Sequence, residues 1–223
     1  MKIDDYQSLI SCLPVRQQCF TTKRATWLKA EREINWLTDL NDRLFENRKT
    51  LTISRQDIFN TGDSIKESIV KTIYWGYTGG MRGNHFVNIL KNIHLLESTF
   101  KELKTKSQST NNDFEHFTLV FKNIPGLGLS TYSKLLYFLN IRFNNYPALI
   151  LDQKLIDVFT NKYFEDFFEL DRITYSNAER NYLKYLLITN KVAIDLNTQG
   201  ENIEQFLFIF GNNLKVPSPS IIP

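Results

Sequence analysis

The amino-acid sequence predicts an all-α protein, and three observations carry that prediction. Apolar residues recur three and four apart through most of the longer segments, the spacing of helix faces. Paired runs of alternating apolar and polar residues, which would mark strands, do not stand out. No internal repeat organises the chain. Of its 223 residues, 42% are apolar and 13% aromatic, enough to fill a real core, which excludes global disorder. That length suits one compact domain over residues 1–223, if need be a two-lobed one.

Residues 4–20 read as a short helix and connector, with Tyr6, Leu9, Ile10 and Leu13 on one stripe. From Thr22 to about Lys49 the spacing predicts one long helix, apolar at Trp27, Leu28, Ile34, Trp36, Leu37, Leu40, Leu44 and Phe45. Its other face carries Lys23, Arg24, Lys29, Arg32 and Arg43, either a solvated face or a phosphate-facing strip. Asn60-Thr61-Gly62 marks a turn, and Asp63 and Ser64 cap a helix through Ile65, Ile69, Ile73 and Tyr74. The stretch from Trp75 to Phe86 crowds four glycines, three aromatics, an arginine and a histidine together. Trp75, Tyr77, Arg82, Asn84 and His85 are its candidates for stacking a base or touching DNA. The plainer reading is a tight interhelical turn with Trp75 and Phe86 in the core.

A helix from Asn84 to about Leu96 comes next, then a mobile loop from Lys101 to Asn112. Residues 113–123 form a helix with Phe114, Phe117, Val120 and Phe121 on one face. Beyond Asp152 a helix runs to about Tyr163, followed by the acidic-aromatic stretch Phe164 to Glu169. Asn177 caps a helix from Ala178 to about Thr189, and the apolar Ile203–Phe210 helix belongs in the core. The end of the chain, about residues 216–223, is expected to be a disordered tail.

The most informative stretch is Ile124 to Lys134, together with Ala148 to Gln153. Pro125 stops the preceding helix. Gly126 and Gly128 supply the backbone freedom of a tight hairpin and keep Cβ atoms out of a ligand's way. Ser130 and Thr131 then open an apolar helix from Tyr132 to Leu139, whose unpaired first amides favour a phosphate. Asp152 lies 24 residues after Gly128, behind Leu149-Ile150-Leu151 and ahead of Leu155, Ile156 and Val158. An aspartate there either caps its helix or presents a fixed carboxylate.

Hairpin and aspartate, in this order and at nearly this spacing, resemble the helix-hairpin-helix DNA glycosylase superfamily. The Trp75 to Phe86 stretch and the Leu129 to Lys134 run are similar to a compact bacterial group within it, the 8-oxoguanine-glycosylase-fold proteins associated with anti-phage defence. The resemblance covers residues 113–160 closely and the whole chain more loosely. It implies two helical lobes around a cleft, with the hairpin motif at about 113–141 and the aspartate helix at about 152–163. It further implies an enzyme that flips a modified base out of double-stranded DNA and excises it. Asp152 would stabilise the oxocarbenium-like transition state. Gly126, Gly128 and Ser130 would clamp a phosphate through their amides, with charge added by Lys134 and a contact from Lys154. A monovalent cation on the hairpin carbonyls often completes that clamp in the family.

Relatives with coupled lyase activity carry a lysine two residues after the second hairpin glycine, where it forms a Schiff base. Here that position is Ser130. The resemblance therefore implies a monofunctional enzyme that leaves an abasic site. It favours a hypermodified phage cytosine, such as glucosylated hydroxymethylcytosine, as substrate. Repair of 8-oxoguanine or another damaged base is one alternative, and a non-catalytic module that only grips DNA is another. The polar stretch Asn144-Asn145-Tyr146 joins the candidates for a sugar-accommodating pocket.

Composition bounds the rest. A net charge of only +3, from 27 basic and 24 acidic residues, confines any DNA-binding surface to a local patch. Two cysteines are too few for an iron–sulfur cluster or a disulfide framework, and the scattered His85, His94 and His116 form no metal constellation. No apolar run approaches membrane-spanning length, and Met1-Lys2-Ile3-Asp4-Asp5 does not open a signal peptide. The expectation is a soluble, monomeric protein of the bacterial cytoplasm.

Overall fold

The computed structural model describes residues 1–106 and 111–214. Its helices are α1 Gln7–Ser11, α2 Arg24–Glu33, α3 Asn35–Phe45, α4 Arg55–Phe59, α5 Ile65–Gly76, α6 His85–Lys91 and α7 Ile93–Thr105. They continue with α8 Asn111–Lys122, α9 Leu129–Phe138, α10 Gln153–Thr160, α11 Ala178–Asp195 and α12 Gly200–Phe206. Two short antiparallel ribbons interrupt this helical chain, β1 Cys19–Lys23 with β2 Thr50–Ser54 and β3 Arg142–Phe143 with β4 Tyr146–Pro147. Among the described residues no helix is long and apolar enough to cross a membrane. The expected tail at 216–223 lies outside the described residues, as does part of the expected 101–112 loop. Lys101 to Thr105, by contrast, are helical. The chain divides into two compact units, Arg16–Ala148 and Met1–Val15 with Leu149–Pro223.

The Arg16–Ala148 unit corrects three expectations. Strand pairing does occur: Thr50-Leu51-Thr52-Ile53-Ser54 alternates, with Ile53 turned into the core. Thr21 and Thr52 face each other in register and share a 2.8 Å hydrogen bond. The long helix predicted from Thr22 is two helices, because Cys19–Lys23 is drawn into the ribbon and Ile34 adopts extended backbone (φ −127°, ψ 92°) between α2 and α3. Similarly, the helix predicted from Asn84 to Leu96 breaks at Asn92 into α6 and α7.

Aromatic rings build this unit's centre, with Trp27 stacked on Tyr74 at 4.3 Å and edge-on to Phe86 at 4.9 Å. Arg24 is held by the Glu31 carboxylate at 3.1 Å and by Asp42, and Asn41 links Glu31 to the Tyr74 hydroxyl. Burial pushes the Tyr74 phenol above its ordinary value. Left-handed Asn144 and Asn145 (φ 48° and 71°) turn β3 into β4, the geometry of a tight hairpin.

The second unit packs around α11, whose Tyr182, Tyr185, Leu186 and Thr189 are buried. This helix runs to Asp195, beyond the predicted end near Thr189. α12 passes into a π-helical turn over Leu207–Gly211. Gly211 lets that turn press on α10, since a Cβ there would stand 2.6 Å from Val158 Cγ2. At the chain start, the Met1 ammonium donates to the Tyr163 carbonyl (3.0 Å) and the Ile3 amide to the Asp166 carboxylate (2.9 Å). Tyr6, Phe164 and Phe206 cluster beside them.

Candidate functional site

The hairpin is a type II turn between two helices. Pro125 takes its second position and Gly126 its third, and the Leu127 amide donates to the Ile124 carbonyl at 3.0 Å. Glycine is required at 126 twice over. Its φ is +93°, and an added Cβ would lie 2.3 Å from His85 Cβ. Gly128 is different, because its φ of −78° and ψ of 173° suit any residue. It caps α9, its carbonyl accepting from the Thr131 and Tyr132 amides at 2.8 and 3.0 Å. Among the described residues no side chain caps α9, so the Leu129 and Ser130 amides stand uncapped at its positive end.

Lys134 does not extend this end as a free surface charge. It is only 6% exposed, and its ammonium donates back to the Ser130 carbonyl (2.8 Å) and Oγ (3.1 Å). The same ammonium lies 5.6 Å above the Tyr77 ring, and its stem packs on Gly76, where a Cβ would meet Cδ at 3.0 Å.

The glycine-rich loop buttresses the hairpin. Tyr77 shares a 2.7 Å hydrogen bond with Thr131 Oγ1, which in turn reaches the Gly126 carbonyl. His85, half-buried, backs directly onto Gly126. Arg82 and Asn84 are exposed, and Lys29 of α2 donates its ammonium to Asn84 Oδ1. Lys29 thus joins the loop from the basic face of α2, while Arg24 of that face is consumed by internal ion pairs. Trp75 is a correction: it is a core residue, edge-on to Phe20 and Phe138, with its indole N–H donating to the Gln18 carbonyl. Thr131 was not among the site candidates read from sequence, and Lys29 was read only as one charge on the basic face of residues 22–49. Nothing in the local pattern ties either to a partner more than fifty residues away.

Asp152, in the other unit, is the N-cap of α10. Its Oδ1 accepts the amides of Lys154 (3.1 Å) and Leu155 (3.4 Å). Oδ2 takes no hydrogen bond among the described residues, and the side chain is half-buried. The cap and a chemical role therefore do not compete, since the cap engages one oxygen and leaves the other. Leu149, Ile150 and Leu151 behind it are buried, and the Tyr182 and Tyr185 hydroxyls donate to the Leu149 and Ile150 carbonyls. Burial pushes the Tyr182 phenol up from its ordinary range. Lys154 is exposed, its ammonium 4.4 Å above the Phe208 ring. Among the described residues no three His, Cys, Asp or Glu side chains gather as metal ligands would.

A family model described as "Putative 8-oxoguanine DNA glycosylase OGG-like protein" matches residues 13–208. That span contains the loop, the hairpin and Asp152 alike. No curated protein and no solved structure gives a significant match.

Proposed function

Because the chain belongs to the OGG-like DNA glycosylase family, whose partner is DNA, we propose that it is a monofunctional glycosylase acting through Asp152. The observation that carries this reading is the divided carboxylate. One oxygen is fixed by two helix amides, and the other is left for the positive charge that develops at C1′. A carboxylate held this way needs little reorganisation as the glycosidic bond breaks, and it can orient the attacking water.

The hairpin supplies the grip in this proposal. Gly126, Gly128 and Ser130 present the turn and helix start whose amides hold a backbone phosphate, and Lys154 adds an exposed cation. The Ile124 and Gly126 carbonyls each keep a lone pair beyond the hydrogen bond they accept within the turn, whereas the Gly128 carbonyl already accepts two amides. That donor set suits a monovalent cation, which would supply a positive charge beside the phosphate. Ser130 stands where lyase relatives carry lysine, and Lys134 is bound inward, both of which support base removal without strand cleavage.

For the substrate, the proposal is a hypermodified cytosine of phage DNA, excised in anti-phage defence. Trp75 belongs to the core and is not available to stack on a base, while the exposed Arg82 and Asn84 offer hydrogen bonds to a sugar. The family description favours 8-oxoguanine as the second reading. The test is release of free base from plain, 8-oxoguanine-containing and glucosylated phage DNA, by wild type and Asp152→Asn. Alkali-dependent nicking of one modified DNA by wild type alone is expected. Tight binding with no release from any of the three would leave only a DNA-gripping module, and nicking without alkali would overturn the monofunctional assignment.

A further inference from the structure

A carboxylate is only as well placed as the backbone behind it, and the backbone behind Asp152 belongs to no helix or strand. Leu149, Ile150 and Leu151 are nevertheless buried, so their carbonyls need partners that regular structure does not provide. Two of those partners come from α11. The Tyr182 hydroxyl donates to the Leu149 carbonyl at 2.8 Å, and the Tyr185 hydroxyl donates to the Ile150 carbonyl at 2.9 Å.

The two tyrosines are three residues apart on one helix face, and both rings are 0% exposed. A core that needed only their rings would be served by phenylalanine, because a buried hydroxyl is unfavourable unless it is paired. Here both hydroxyls are aimed at consecutive carbonyls, three and two residues before Asp152. The helix cap on the far side fixes Oδ1, so the aspartate is pinned from its backbone and from its side chain at once.

We infer that Tyr182 and Tyr185 are positioning residues for base excision, their hydroxyls holding the Leu149-Ile150-Leu151 backbone so that Asp152 Oδ2 meets the sugar. The inference rests on the reading of Asp152 as the catalytic carboxylate. Phenylalanine at either site keeps the ring and its packing but frees one carbonyl, so the aspartate's backbone gains room to shift. A displacement of about an ångström in a reacting group costs on the order of a hundredfold in rate.

The experiment compares the full chain with Tyr182→Phe, Tyr185→Phe and the double variant by two readouts. Hydrogen exchange is followed in a peptide spanning residues 149–155 and in one spanning α11. Exchange in the 149–155 peptide should rise roughly tenfold in the double variant while α11 keeps its protection. Base release is measured under single turnover, with enzyme in saturating excess, on the 8-oxoguanine duplex and on glucosylated phage DNA. On the DNA that wild type processes, the rate constant should fall about tenfold in each single variant and about a hundredfold in the double one. Reaction amplitude and DNA affinity should stay at wild-type values, whereas a purely structural role would lower the amplitude and leave the rate constant alone. Unchanged exchange at 149–155, or raised exchange with a wild-type rate constant, overturns the inference. Wild type that releases base from neither DNA overturns the excision reading itself. A competent wild type, an inert Asp152→Asn and unaffected tyrosine variants would overturn the positioning role alone.

Discussion

The hairpin at Ile124–Ser130 and the aspartate segment at Leu149–Leu155 achieve fixity by opposite means. The hairpin is a backbone device: a proline, one left-handed glycine pressed onto His85, and helix amides without a side-chain cap. The aspartate segment is a side-chain device, in which two buried phenols hold the approach and one carboxylate oxygen holds the helix start. Amides arranged in a turn suit an invariant ligand such as phosphate, whose geometry is the same at every nucleotide. A single side chain supported by other side chains suits chemistry at one atom. The difference suggests that grip and reaction can be damaged separately.

The largest expected effect is on the side-chain device. Asp152→Asn keeps an acceptor oxygen for the cap and removes the charge, so base release should drop roughly a thousandfold while DNA affinity holds. A gel-based excision assay beside fluorescence anisotropy reads both quantities. Next comes Gly126→Ala, which forces a left-handed alanine against His85. It should lower stability by about 2 kcal/mol and weaken DNA binding about tenfold or more, seen in urea unfolding and in anisotropy.

Lys134→Met sharpens the contrast from the hairpin side. It keeps the packed stem and removes an amine that donates to the Ser130 carbonyl and Oγ. Base release should change by less than about tenfold, and borohydride should trap neither wild type nor variant on DNA, because no imine forms. Trapping of wild type that Lys134→Met abolishes would make the hairpin a chemical element after all.

The smallest effect is shared by both regions' supporting cores. Burial raises the phenols of Tyr74, in one unit, and Tyr182, in the other, above the ordinary 10.0. The folded chain then holds these protons when the unfolded chain has released them. Their contribution to stability is complete below about pH 10 and is lost as the pH climbs beyond it. Urea midpoints measured between pH 8 and 11 should fall at the alkaline end, and Tyr74→Phe should flatten part of that fall.

Legibility in the sequence follows the same division. The turn was readable because Pro125 and Gly126 are local signals with one geometric meaning, and the cap at Asp152 because an aspartate before an apolar helix is another. Gly128 shows the limit of that reasoning, since its backbone sits where any residue can. The β1–β2 ribbon was missed because only Ile53 and Thr22 bury their side chains, which leaves too little alternation to see. Trp75 could have faced a base or the core, and only the positions of Phe20, Phe138 and Gln18 decide it. The tyrosine clamp was illegible for the same reason, with 33 and 35 residues between each phenol and its carbonyl. Periodicity reports which face is buried, not which buried group carries a hydrogen bond.

The most direct measurement is single-turnover base release by wild type, Asp152→Asn and Gly126→Ala on the modified DNA that wild type processes, with enzyme raised to saturation. Asp152→Asn should bind as wild type does and release almost nothing, while Gly126→Ala should regain a near-wild-type rate constant once saturated. Release by Asp152→Asn at the wild-type rate would contradict the catalytic assignment, and a Gly126→Ala rate that stays low at saturation would contradict the separation of grip from chemistry.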